Sequence, residues 1–145
     1  ARGGARYEVT ARPGKVEWAS QNMLVLGIVV VLGLLLHLWN FWYNMMFAEV
    51  TGISTVYDPA DGYAYILDTF ANPLFVVLYI VWLAALWFHL THGFWSAMQT
   101  LGWNGKTWFC RWKVIGVAYT TLLMLGFLVV VLFFAFQDCL GCCVG

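Results

Sequence analysis

The chain has 145 residues and no formal net charge, with 63% hydrophobic, 19% aromatic and only 10% charged residues. A soluble domain carries roughly 25% charged residues, and one this short buries only about two thirds of the surface it exposes unfolded. The composition therefore excludes a free-standing soluble domain and points to a protein solvated by lipid; no nucleic-acid partner is expected.

Residues 1–20 are polar, Gly-rich and Arg-bearing, without the apolar core of a signal peptide. With Ala rather than Met at its start, the chain reads as an internal part of a longer reading frame or as a processed product. A first span follows at about 22–47, with Leu24 to Phe47 free of Asp, Glu, Lys and Arg and with Ser20 or Asn22 as its cap. The segment 50–72 holds Asp58, Asp61 and Asp68 and no basic residue. It reads as an external loop on the membrane surface, with Tyr57, Tyr63, Tyr65 and Phe70 facing headgroups. Asn72-Pro73 supplies a cap and a first-turn proline for a second span at about 73–100, which Gly102 closes beside Trp103 and Asn104. A cytoplasmic loop is expected over 102–113, and a third span at about 114–137, charge-free from Val114 to Phe136.

Each run exceeds the ~20 residues that cross the hydrocarbon as a helix, and lipid offers the backbone no other hydrogen-bonding partner. The alternative of buried helices in a soluble protein leaves almost no residues for a polar shell. The expectation is a single all-α transmembrane domain over 1–145. Its orientation follows from the basic residues. Arg2, Arg6, Arg12 and Lys15 precede the first span, and Lys106, Arg111 and Lys113 lie between the second and third. All fall on one side, which the positive-inside rule makes cytoplasmic. Asp138 and the C-terminus then lie outside. Trp39, Trp42 and Tyr43 toward the outer end, and Trp95, Trp103, Trp108 and Trp112 toward the cytoplasmic end, read as interfacial anchors.

All three histidines fall inside predicted spans: His37 in the first, His89 and His92 in the second. Ionisable residues at membrane depth are costly and mark functional sites, and neutral imidazole is a common axial ligand of haem iron. A histidine hydrogen-bonded to a neighbouring helix is the simpler reading. Gly33, one turn before His37, and Gly93 and Ser96, beside and one turn beyond His92, leave room for a flat macrocycle; small residues also serve close helix packing. Measured along each helix from Leu24 and from Met98, His37 and His92 lie at about 20 Å and 9 Å from the cytoplasmic edge. A depth difference of roughly 10 Å implies two separate irons, not one shared between them.

The stretches LHLWNFW (Leu36 to Trp42), FANPLFVVLYIVW (Phe70 to Trp82) and above all FHLTHGFWSAMQTLGWN (Phe88 to Asn104) resemble the dihaem cytochrome b subunit of succinate dehydrogenases and fumarate reductases. The resemblance runs from about Trp18 to Phe136. It implies a five-helix bundle holding two haems b through four histidines on its first four helices, of which this chain matches the last three helices. His37 is then the ligand of the outer, distal haem iron and His92 that of the cytoplasmic, proximal one. His89 matches no ligand position. The other two helices and the remaining ligands would come from missing N-terminal sequence or from another chain.

Asn40 and Asn44 continue the His37 face and, with Trp39 and Tyr43, could border a quinone headgroup or bond neighbouring helices. Gln99, Asn104 and Lys106 could meet haem propionates or stand at the interface. The third span reads as packing, with Tyr119, Thr120 and Thr121 its notable polar groups. Cys110 stands alone, and Cys139, Cys142 and Cys143 form a tail without further metal ligands. The implied function is that of the membrane anchor in a bacterial inner-membrane succinate:quinone or fumarate:quinol oxidoreductase. Iron–sulfur and flavoprotein subunits would dock on its cytoplasmic side, and the quinone usual for this branch is menaquinone. A cytochrome b of another quinone-linked enzyme, such as a hydrogenase or formate dehydrogenase, and a haem-free transporter or assembly factor are the alternatives.

Overall fold

The computed structural model describes residues 21–103 and 105–144, the last seven of them and residues 106, 107 and 109 as backbone only. Among the described residues every regular element is helical. Helix α1 covers Met23–Thr51, α2 Gly62–Ala71, α3 Pro73–Thr100 and α4 Lys106–Val144. Three stretches are long and apolar enough to cross a membrane: Met23–Thr51, Pro73–Thr100 and Cys110–Gln137. The chain is thus an all-α protein with three candidate spans, as its charge-free runs require.

Local chemistry sets the ends. Asn72 accepts a hydrogen bond from Leu74 N at 2.9 Å, with Pro73 in the first turn of α3, as the sequence predicts. At the other end, Trp103 N bonds Met98 O at 2.9 Å and Gly102 N bonds Gln99 O at 3.0 Å. This is a Schellman closure, and it needs the positive φ of 77° that Gly102 adopts. Asn22 occupies the cap position of α1 without a side-chain cap bond, and Ser20, with all of 1–20, lies outside the described residues.

Two loop expectations need correction. The segment 50–72 is not wholly a surface loop, because Asp61 caps a ten-residue helix by accepting from Ala64 N at 3.2 Å. That helix, α2, is amphipathic. It turns Tyr65 and Phe70 inward to 6% and 5% exposure, leaving Tyr63 half exposed. The Tyr65 hydroxyl donates to Tyr57 O at 2.9 Å, which ties the preceding turn to the helix. The loop expected over 102–113 is also shorter, since α4 begins at Lys106.

The spans are arranged as a row. Helix α3 packs against both α1 and α4, among the described residues the backbones of α1 and α4 do not approach each other closely, and α2 touches all three. The core forms where α2 closes one end of the row, from Phe70, Tyr79, Leu83 and Val131, with Leu36, Phe41, Trp82 and Met124 packed around them. Elsewhere large apolar side chains stay exposed, among them Leu24, Ile28 and Leu35 of α1 and Leu122, Phe127 and Phe133 of α4.

The α3–α4 contact carries a polar pin: Trp87 Nε1 donates to Thr121 Oγ1 at 2.9 Å. An unpaired indole N–H in hydrocarbon is costly, and one such bond contributes about 0.5–1.5 kcal/mol. Thr121→Val should therefore lower stability by about 1 kcal/mol in a denaturing-detergent titration, with Thr121→Ser close to wild type. A loss in Thr121→Ser with Thr121→Val close to wild type would show that methyl packing, not the bond, matters at this position.

Candidate functional site

His37 is the last α-helical residue before the helix widens, and Leu38–Phe47 runs as a π-helix. The cause is visible in the side chains. Asn44 Nδ2 donates to both Trp39 O and Asn40 O, each at 3.1 Å. A polar side chain inserted into the hydrogen-bond ladder of an apolar helix widens it, and such insertions cluster at functional sites.

Around His37 the structure gathers aromatic rings. Its imidazole lies 5.1 Å from Phe41, 6.1 Å from Tyr79 and 5.6 Å from Trp82, the last stacked at 30°. The Trp82 indole Nε1 donates to Val30 O at 3.0 Å. Trp82 lies so close over Gly33 that a Cβ there would collide with its ring. Gly33 does make room for a flat group, but that group is the indole of Trp82 and not an open seat for a macrocycle. Beside these rings lies an apolar cavity of about 320 Å³, bounded by His37, Phe70, Tyr79, Met124 and Phe127. His37 Nδ1 is buried and has no hydrogen-bond partner among the described residues.

The four residues expected near a quinone separate. Asn40 Nδ2 reaches Tyr79 OH at 3.5 Å, on the His37 side. Asn44 is folded back on its own backbone. Trp39 and Tyr43 stack on each other at 4.9 Å and 6°, with Trp39 63% exposed. Tyr43 and Asn44 do line a mixed polar cavity of about 340 Å³ with Ser54 and Thr55.

Helix α3 places the other histidines toward the basic end of the row. His89 Cε1 stands 3.7 Å from where a Cβ on Gly27 would lie, so His89 faces α1, and its Nδ1 is buried without a hydrogen-bond partner among the described residues. His92 lies 5.6 Å from the Trp95 ring. Nothing comes within 4 Å of a Cβ built on Gly93, so a flat group has room there. Ser96 is partly buried, its carbonyl accepting from Thr100 Oγ1 at 3.1 Å, and Gln99 is exposed. Asn104 and the Lys106 side chain lie outside the described residues.

These contacts revise the depth estimate. His37 is level with Tyr79 and Trp82, so it stands about 15–20 Å from His92 along the α3 axis, not roughly 10 Å. The apolar runs are staggered. With Gly27 level with His89, Leu24 falls near His92 rather than near Met98, so the two depths were measured from different planes.

A haem would meet this chain as two half-sites. Each offers one imidazole; Gly93 leaves space beside His92, and the aromatic-walled cavity adjoins His37, whereas the Gly33 seat is filled. Among the described residues no three His, Cys, Asp or Glu side chains converge, and a haem asks for only one or two axial ligands. Sequence reasoning missed Tyr79 and Trp82, the residues that shape the His37 surroundings. Their signal was present as two polar-tipped aromatics within an otherwise aliphatic run.

The Gly33–Trp82 fit is testable by a double-mutant cycle. Gly33→Ala should cost about 1–3 kcal/mol through overpacking, and most of that cost should vanish in a Trp82→Ala background. Additive losses would mean that the two residues do not share this space.

No family model matches the chain, and no match is found among curated proteins or among solved structures.

Proposed function

We propose that the chain is the last three-helix part of a dihaem cytochrome b subunit. In this reading it anchors a succinate:quinone or fumarate:quinol oxidoreductase in a bacterial inner membrane and conducts electrons between an iron–sulfur subunit and a membrane quinone. The observation that carries this reading is the placement of His37 and His92 on antiparallel helices about 15–20 Å apart in depth, too far to share one iron. His37 would hold one haem beside Phe41 and Tyr79, and His92 the other beside Gly93. Haem bound at these positions supplies reversible one-electron transfer, while the chain fixes ring orientation and excludes water.

In this reading the second axial ligands come from two further helices, for which the open broad faces of the row leave space. The basic end of the row faces the cytoplasm, where the iron–sulfur and flavoprotein subunits dock. Menaquinone, the quinone this resemblance implies, would reach the acidic end, near Trp39, Asn40, Tyr43 and Asn44. One feature favours the haem-free alternative: Trp82 fills the space over Gly33 and stacks on His37. Binding at His37 would then require that indole to turn away.

The deciding measurement is a reduced-minus-oxidised spectrum with redox titration of the native membrane complex. Two b-type components are expected, with His37→Ala and His92→Ala each removing a different one. No haem signal, or no change in either variant, would leave the haem-free reading.

A further inference from the structure

The turn between α3 and α4 builds a concave surface that the haem reading does not use. The Schellman closure at Gly102 fixes the position of Trp103, and the first turns of α4 bring Trp108 and Trp112 beside it. Trp103 and Trp112 stack at 5.8 Å and 27°, and Trp108 lies 6.0 Å from Trp112. With Gly102 and Gly105 these indoles line a cavity of about 370 Å³. A cation flanks it: the Arg111 guanidinium sits 5.3 Å from the centre of the Trp108 ring, one of the lining indoles. The carboxylates whose side chains are described, Glu49, Asp58, Asp61 and Asp68, all lie at the opposite end of the row. The cavity sits at the edge of the apolar spans, between the end of α3 at Thr100 and the start of the α4 span at Cys110.

We propose that this cavity binds an anionic phospholipid, its phosphate paired with Arg111 and its glycerol and upper acyl carbons lying on Trp103, Trp108 and Trp112. Indoles are suited to the boundary between headgroup and hydrocarbon, and basic side chains beside a span attract anionic headgroups. A free phosphate would gain nothing from three indole faces. A quaternary ammonium would seek those faces, but the guanidinium over Trp108 repels it. The assignment is independent of whether the chain holds haem.

The test uses the full chain in phosphatidylcholine vesicles holding an equal minor fraction of either dibrominated phosphatidylglycerol or dibrominated phosphatidylcholine, with Trp fluorescence as the readout. Brominated phosphatidylglycerol should quench more strongly, and replacing Trp103, Trp108 and Trp112 together by Phe should remove most of the excess. Arg111→Gln should weaken the preference by roughly fivefold, whereas Arg111→Lys should keep most of it. Equal quenching by the two lipids, or a preference that survives Arg111→Gln, would overturn the proposal. So would stronger quenching by phosphatidylcholine, or a preference lost in inorganic phosphate but kept in sodium chloride of the same ionic strength. Its absence from the assembled membrane complex would assign the surface to a protein partner instead.

Discussion

The seating of Trp82 against α1 is the constraint from which the rest of the arrangement follows. Its indole enters the gap left by Gly33, its N–H is satisfied by Val30 O, and its face lies along His37. Helix packing in lipid has little hydrophobic driving force and relies on close approach and on polar groups finding partners. One residue supplies both here. It fixes the axial register of α1 on α3, and through that register the depth of every histidine. The Trp87–Thr121 bond plays the corresponding part on the other flank of α3. The central helix is therefore keyed on both sides by a tryptophan, Trp82 toward α1 and Trp87 toward α4.

Much of this architecture was legible in the sequence, and the reasons are physical. Length, apolarity and absence of charge suffice to define a span, because lipid leaves the backbone no alternative to a helix. Asn72-Pro73 and Gly102 mark ends for local steric reasons, and both act as expected. Helix α2 was not legible as a helix. The three aspartates and four aromatics of segment 50–72 resemble an interfacial loop, and only the tertiary partners of Tyr65 and Phe70 turn one face of α2 inward. The depth of His37 was misjudged because a single helix carries no information about its stagger relative to a neighbour. That quantity is set by pairs such as Gly27 with His89, which no periodicity reveals.

The candidate site was legible as a set of residues but not as a set of neighbourhoods. Asn40 and Asn44 were assigned one shared face, yet they have opposite fates: one reaches Tyr79 across the helix pair, and the other is consumed by its own backbone. Gly33 was read as room for a ligand or for close helix packing, and it is used by an indole. In each case the residue type was informative about the need for space or for a donor. The partner that meets the need was decided by a helix whose register the sequence does not encode locally.

The π segment Leu38–Phe47 has a consequence for how this helix varies among proteins of related sequence. A widened turn accommodates one more residue than the regular spiral over the same rise. Removing that extra residue would restore α geometry over the same rise and leave Glu49 and Thr51 on the same side of the membrane span. Length differences confined to this stretch would therefore be absorbed where they arise, leaving the acidic end in place and His37 and the half-helix before it where Trp82 holds them.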